Sequence, residues 1–188
     1  MNYTQLVAAI AGFIHRTDLT ASIPTFILLA EAQFNKELRV KQMETALAPT
    51  TIVDNTIAIP SGIVDIKDLW IPGYERDPLI RASLSAVLAS GMNGLPSLYA
   101  KQSASLVFNG TSEVQGVVYQ GIPAITESAP TNWLATEAPG VYLYGALIQA
   151  DVYTGNDQTT HQAQYLAALN SLVGADNRHT GPLVMRAR

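Results

Sequence analysis

The chain has 188 residues, 48% of them hydrophobic and only 14% charged, with a net charge of −4 and no cysteine. A disulfide framework, a thiolate metal site and a cysteine nucleophile are therefore excluded, and the acidic balance argues against a surface that grips nucleic acid by neutralising phosphates. Soluble domains carry about 25% charged residues, so this chain has little with which to coat a surface, and that points to an oligomer that hides much of it.

Residues 3–16 read as a helix, with Leu6, Ile10, Phe13 and Ile14 recurring at spacings of three and four. A turn rich in capping residues, "RTDLTAS", follows. Pro24 then opens a second helix at an early position where its missing N–H costs nothing. Ile23, Phe26, Ile27, Ala30, Phe34 and Leu38 form its apolar stripe, and Glu31, Lys36, Glu37 and Lys41 are expected to face away. So short a connection predicts an antiparallel pair.

After Glu44 the period changes from 3.6 to 2. "TTIVDNTIAIP" (50–60) predicts a hairpin turning at Asp54-Asn55, two residues that tolerate positive φ. "IVDIKDLWI" (63–71) alternates as a strand, with "DPLIRA" (77–82) as its expected partner. A short helical turn at 83–92 closes near Gly91, and "SLVFNGTSEVQGVVYQ" (105–120) predicts a second hairpin around Asn109-Gly110. The helical period returns from Thr136 in one helix to about Thr154, stopped by Gly155-Asn156. Asp157 caps a final helix on which Ala163, Leu166, Leu169 and Val173 share the apolar face, ending at Gly174.

These elements predict an α+β fold. N- and C-terminal helix pairs (1–43 and 132–176) form an antiparallel bundle, a β-rich, sandwich-like insert (44–131) lies between them, and a tail (177–188) closes the chain. The helix from 138 is apolar on nearly every side, yet its uncharged run, Ala138 to Ala150, is 13 residues, and a membrane span needs about 20. No basic start followed by an apolar stretch opens the chain, so export by a cleavable signal is not expected. An all-apolar helix in such a bundle meets the bundle on one face and another subunit on the other. Tyr142, Tyr144, Leu147 and Ile148 are its candidate interface or core residues. Tyr153 and Tyr165 share that ambiguity, because tyrosine suits both settings.

Little in the sequence carries chemistry. His15, His161 and His179 never fall at i, i+3 or i+4 and read as surface or cap residues. Asp65, Asp68, Glu75 and Asp77 cluster in sequence and are the candidates for a glycosidase acid–base pair, but on strands and a turn they read as water-facing. No nucleophile elbow, phosphate-binding glycine loop or dinucleotide fingerprint occurs, so no catalytic residue and no cofactor is expected. Trp133 reads as a plug at the junction of bundle and β module, with sugar or base stacking as its functional alternative. The terminal Leu183, Val184 and Met185 follow Gly-Pro and precede Arg186 and Arg188. Such a tail either adds a strand to a partner's sheet edge, with the arginines setting register, or frays.

Several stretches together resemble the head-to-tail adaptor (connector ring) proteins of tailed bacteriophages: "YTQLVAAIAGFIHRTDLT", "IPTFILLAEAQFNKELRVKQMET", "YQGIPAITESAPTNWLATEAPGVYLYGALIQA" and "NRHTGPLVMRAR". The resemblance covers nearly the whole chain and is weakest across about 70–115. Its most specific part is the pattern from Ile122-Pro123 through Leu147, with Ile125 where the pattern has Leu and Gly140 where an acidic residue is common. It implies a non-enzymatic virion component of the neck, assembled in the host cytoplasm: a homo-oligomeric ring, usually of twelve subunits. Such a ring sits beneath the portal protein, carries a tail or nozzle protein, and passes DNA through its lumen without specific binding. It also implies docking on the portal through the C-terminal segment or helical end, which gives Leu183, Val184, Met185, Arg186 and Arg188 a role. The alternatives are a tail-completion or tail-terminator ring and a carbohydrate-binding or hydrolytic tail module.

Overall fold

A computed structural model describes residues 1–179, with side-chain burial described to Asp176. The chain runs α1 (Tyr3–Ile14), α2 (Ile23–Glu37), β1 (Glu44–Thr51), β2 (Thr56–Ala58), β3 (Ile63–Trp70) and β4 (Ile80–Arg81). It continues through α3 (Leu84–Ala89), β5 (Leu98–Gln102), β6 (Ser105–Phe108), β7 (Glu113–Gln120), α4 (Trp133–Glu137), α5 (Pro139–Thr154) and α6 (Thr159–His179). The α+β class is as expected, with helices at both ends and a β module between. Two compact units result, a helical one that holds residues 1–42 and the described residues from 122 onward, and a β unit of 43–121. Residues 122–131, assigned to the insert from sequence, thus belong with the helices. Their backbone is held there: the Ile122 N–H donates to Asn35 Oδ1 at 2.7 Å, and the Tyr3 N–H donates to the Pro130 carbonyl at 2.7 Å.

In the helical unit, α1 starts on a reciprocal cap. Asn2 Oδ1 accepts the Gln5 N–H and the Asn2 N–H donates to Gln5 Oε1, which satisfies two end donors at once. The helix ends two residues earlier than its pattern suggests, because His15 adopts the left-handed conformation (φ 52°). The predicted stripe of α2, Ile23, Phe26, Ile27, Ala30, Phe34 and Leu38, is buried throughout. Glu31 is not on the outer face as expected; it is 5% exposed. The single helix expected from Thr136 is two helices. Asn132 caps α4 by accepting the Ala135 N–H, and Ala138 (φ −133°, ψ 63°) breaks the run, since a residue before proline is driven out of helical space. Gly155 (φ 71°) closes α5 as predicted. Asp157 Oδ1 accepts the N–H and hydroxyl of Thr159 and opens α6. That helix runs past Gly174 to His179, because a lone glycine costs a helix about 1 kcal/mol and does not stop it.

The β unit contains two sheets, ordered β1-β7-β3 and β2-β6-β5-β4. Leu47, Leu69, Val114 and Val118 of the first share one core with Ile57, Tyr99, Leu106 and Phe108 of the second. Both expected hairpins are corrected. Asp54 and Asn55 do make a positive-φ turn (49° and 58°) bridged by Val53 and Thr56, but β1 leaves to pair with β7 and β2 with β6. Asn109-Gly110 makes no positive-φ turn. Asn109 is buried, its Oδ1 accepting the Ser97 and Leu98 N–H groups at 2.8 and 2.9 Å, and a Cβ on Gly110 would lie 2.3 Å from the Gly94 carbonyl oxygen. The pair serves a close backbone approach between the end of β6 and the 94–98 segment that leads into β5. The hairpin that does form, β5–β6, turns at Ser103 (φ 54°). β3 pairs with β7, and β4 runs parallel to β5; the Leu79 N–H keeps one bond to the Leu69 carbonyl on β3. α3, capped by Ser83 and followed by Gly91 at φ 86°, contributes Val87 to a second small core with Ala100 and Val107.

Candidate functional site

The centre of the helical unit is an aromatic stack. Phe34 lies between Tyr142, edge-on at 5.2 Å, and Tyr165, nearly parallel at 6.1 Å. α5 comes this close to α2 because residue 145 is glycine: a Cβ there would sit 2.7 Å from Phe34 Cζ and 3.4 Å from Ala30 Cβ. The Tyr142 hydroxyl donates to Glu31 Oε1 at 3.0 Å and accepts from Asn132 Nδ2 at 2.6 Å; the Ile125 N–H donates to the same Glu31 oxygen at 2.8 Å. The sequence reading missed this network. Burial pushes the Glu31 carboxyl above its ordinary pKa despite those two donors, and burial, helped by Glu31, pushes the Tyr142 phenol well above its own. Tyr165 donates to Glu37 Oε2 at 2.8 Å and is likewise shifted up by burial. The polar atoms are engaged in tying 122–132 and α2 to α5.

The four candidate residues on α5 divide. Tyr142 and Leu147 are buried within the chain itself, and Tyr144 and Ile148 are half-buried. Tyr144 stacks on His161 at 6.4 Å, and His161 Nδ1 meets the buried Asp151 Oδ2 at 2.6 Å. His161 is therefore a partner of α5 and not a plain surface residue. Trp133 is half-buried at the first position of α4. Tyr153 is exposed, with one face against Phe26 at 5.5 Å.

The acidic residues of the β unit do not form a pair aimed into a cleft. Asp65 is half-buried and bonded to Arg81 at 3.3 Å, Glu75 Oε1 caps the Gly73 N–H at 3.0 Å, and Asp68, Glu75 and Asp77 are exposed. Among the described residues no group of three or more His, Asp or Glu is placed to hold a metal ion. No described helix is long and apolar enough to cross a membrane. The tail residues Leu183, Val184, Met185, Arg186 and Arg188 lie outside the described residues.

Unpartnered apolar surface is what remains. On α6 the buried residues up to Asp176 are Tyr165 and Leu172, whereas Leu166 and Val173, on the apolar face that the pattern marks, are 48% and 37% exposed. The helix has a second apolar stripe that the described residues do not cover. From Thr159 to Ala175 it holds no Asp, Glu, Lys or Arg, and neither does α1. Two grooves flank α2. One is lined by Ile148 and Val152 of α5, Leu166 and Leu169 of α6, and Gln33 and Glu37 of α2. The other is lined by Tyr3, Pro24, Ile27, Leu28 and Ile125, with Glu31 at its base.

A search among curated proteins finds no match. The family model described as SU10 adaptor protein matches residues 1–186 and so spans both units. The helix pairs, the inserted β module and the "PTNWL" segment that supplies Asn132 fall within one continuous match, and the chain belongs to the SU10 adaptor protein family, a family of phage head-to-tail adaptors.

Proposed function

We propose that the chain is one subunit of a homo-oligomeric ring in the phage neck, bound to the portal on one side and to a tail or nozzle protein on the other. DNA passes through its lumen. The observation that supports the ring is the apolar stripe of α6 left uncovered by the described residues, on a helix with no Asp, Glu, Lys or Arg from Thr159 to Ala175. A soluble chain that leaves Leu166, Val173 and Val152 in water gains by covering them, and burial is worth about 25 cal/mol per Å². Two different grooves on one subunit suit head-to-tail contacts, which close into a ring when the rotation permits. The net charge of −4 suits a channel wall, since tight phosphate neutralisation would hold the genome back. Twelve copies is the number the family resemblance suggests.

The C-terminal residues 181–188 are proposed to dock on the portal, with Arg186 and Arg188 making charge-assisted bonds. Mixing the chain with isolated portal protein tests both parts. Mass photometry is expected to show a complex many subunits larger than the portal alone, and a chain ending at residue 180 is expected to keep its melting temperature while attaching more weakly. Equal attachment by the shortened chain would make the tail idle.

A further inference from the structure

The two grooves lie on opposite flanks of α2. Leu28, on the rim of one, and Gln33, on the rim of the other, are five positions apart, which places them about 140° apart around a helix that turns 100° per residue. Each groove has an apolar centre and a mainly amide or hydroxyl rim, with the exposed Glu37 at the edge of the α5–α6 groove. Gln33, Gln149 and Gln162 edge the α5–α6 groove, and Thr25 and Thr126 edge the other. The single carboxylate in each is already engaged: Glu37 accepts from Tyr165 and Gln33, and Glu31 from Tyr142 and Ile125. Neither lining holds a basic residue, and the Leu28 edge brings no exposed charge of its own to the α5–α6 groove, where Glu37 stays at the solvent edge. Their prominent residues match as knob and hole. Leu28 stands 60% exposed on a helix ridge, and Ile148, Val152, Leu166 and Leu169 surround a depression.

We infer that the α5–α6 groove of one copy receives the Leu28 edge of α2 from a second copy, so that subunits associate head to tail. This rests on the ring reading above and names the surfaces it uses. Because the contact joins two different patches, each subunit keeps one free half after pairing, and the chain of contacts continues until it closes.

The experiment uses Leu28→Lys and Leu166→Lys in the full chain, with circular dichroism confirming the fold. Each variant alone is expected to lose assembly by mass photometry. An equimolar mixture is expected to give a dimer and nothing larger, because it retains one intact pair of surfaces. Since the chain has no cysteine, Leu28→Cys and Leu166→Cys offer a second reading that adds no charge. With a short bifunctional maleimide, the doubly substituted chain is expected to give a ladder and each single variant only monomer. Dimers from one single variant would show a two-fold contact and overturn the inference. Assembly of either lysine variant like the unmodified chain, or no ladder from protein that still assembles, would reject these surfaces and leave the ring standing. An unmodified chain that never assembles, alone or on the portal, would instead remove the ring reading itself.

Discussion

Glu31 is a carboxylate placed where its charge is costly, between α2, the 122–126 segment and the Tyr142 hydroxyl. Its pKa is raised by burial from an ordinary 4.5, so above that pH the native state holds more protons than the unfolded chain. Stability then falls as pH rises through the window above 4.5. Glu31→Gln keeps an oxygen for both donors and is expected to flatten that slope, so that its melting temperature gains on the unmodified chain from pH 4.5 upward. Glu31→Ala orphans the Ile125 N–H and the Tyr142 hydroxyl and is expected to cost about 1–3 kcal/mol at every pH. Parallel denaturant titrations from pH 4 to 8 check both. Gly145 gives a steric counterpart. Alanine would gain about 1 kcal/mol of helix propensity, but its Cβ meets a Phe34 ring held between two tyrosines. Overpacking of about 1–3 kcal/mol is expected to win and lower the melting temperature. Neither residue announces itself in sequence: a glutamate beside an apolar stripe reads as solvated, and a glycine in a helix reads as a flaw. Their meaning lies in contacts more than 90 positions away.

At the scale of elements, the buried residues of α5, among them Val141, Tyr142, Ala146, Leu147 and Ala150, pack inside the chain, where the helix meets α1, α2, α4 and α6. Leu147→Asp is accordingly expected to cost on the order of several kcal/mol, by burying a charge without a partner, and to unfold the helical unit in a thermal melt. Ile148→Asp, one position on and half-buried in the groove, is expected to leave the fold in place and reduce assembly; equal melting losses for the two would show that the groove is core. Periodicity identified α1, α2, α5 and α6 and the stripe of α2, because a helix that buries one face repeats its apolar residues at fixed spacing whatever packs against it. On α6 it picked out the face of Leu166 and Val173, which the described residues leave exposed, since apolar spacing marks a face without saying what covers it. In the β unit the strand-forming stretches were legible, but pairing was not. Asp54-Asn55 makes the turn its residues favour, while the strands on either side answer to partners about 50 to 70 positions away.

For the whole molecule, the low charge content and the four segments resembling phage adaptors were legible in composition and motif, and the family match spans residues 1–186. The candidate surfaces were legible only in part, because a groove is made by three helices at once. An acid–base role for the β unit is not favoured by the exposure of Asp68 and the Arg81 pairing of Asp65; Asp65→Asn with Asp68→Asn is expected to leave assembly and portal attachment unchanged by sedimentation. The central claim is that this chain covers its uncharged helical faces with copies of itself. Native mass spectrometry of the chain bound to portal, after release by gentle activation, tests it most directly. The account predicts a closed set of adaptor subunits in one stoichiometry, retained as a ring; adaptor chains that leave singly, and remain monomers at high concentration on their own, would contradict it.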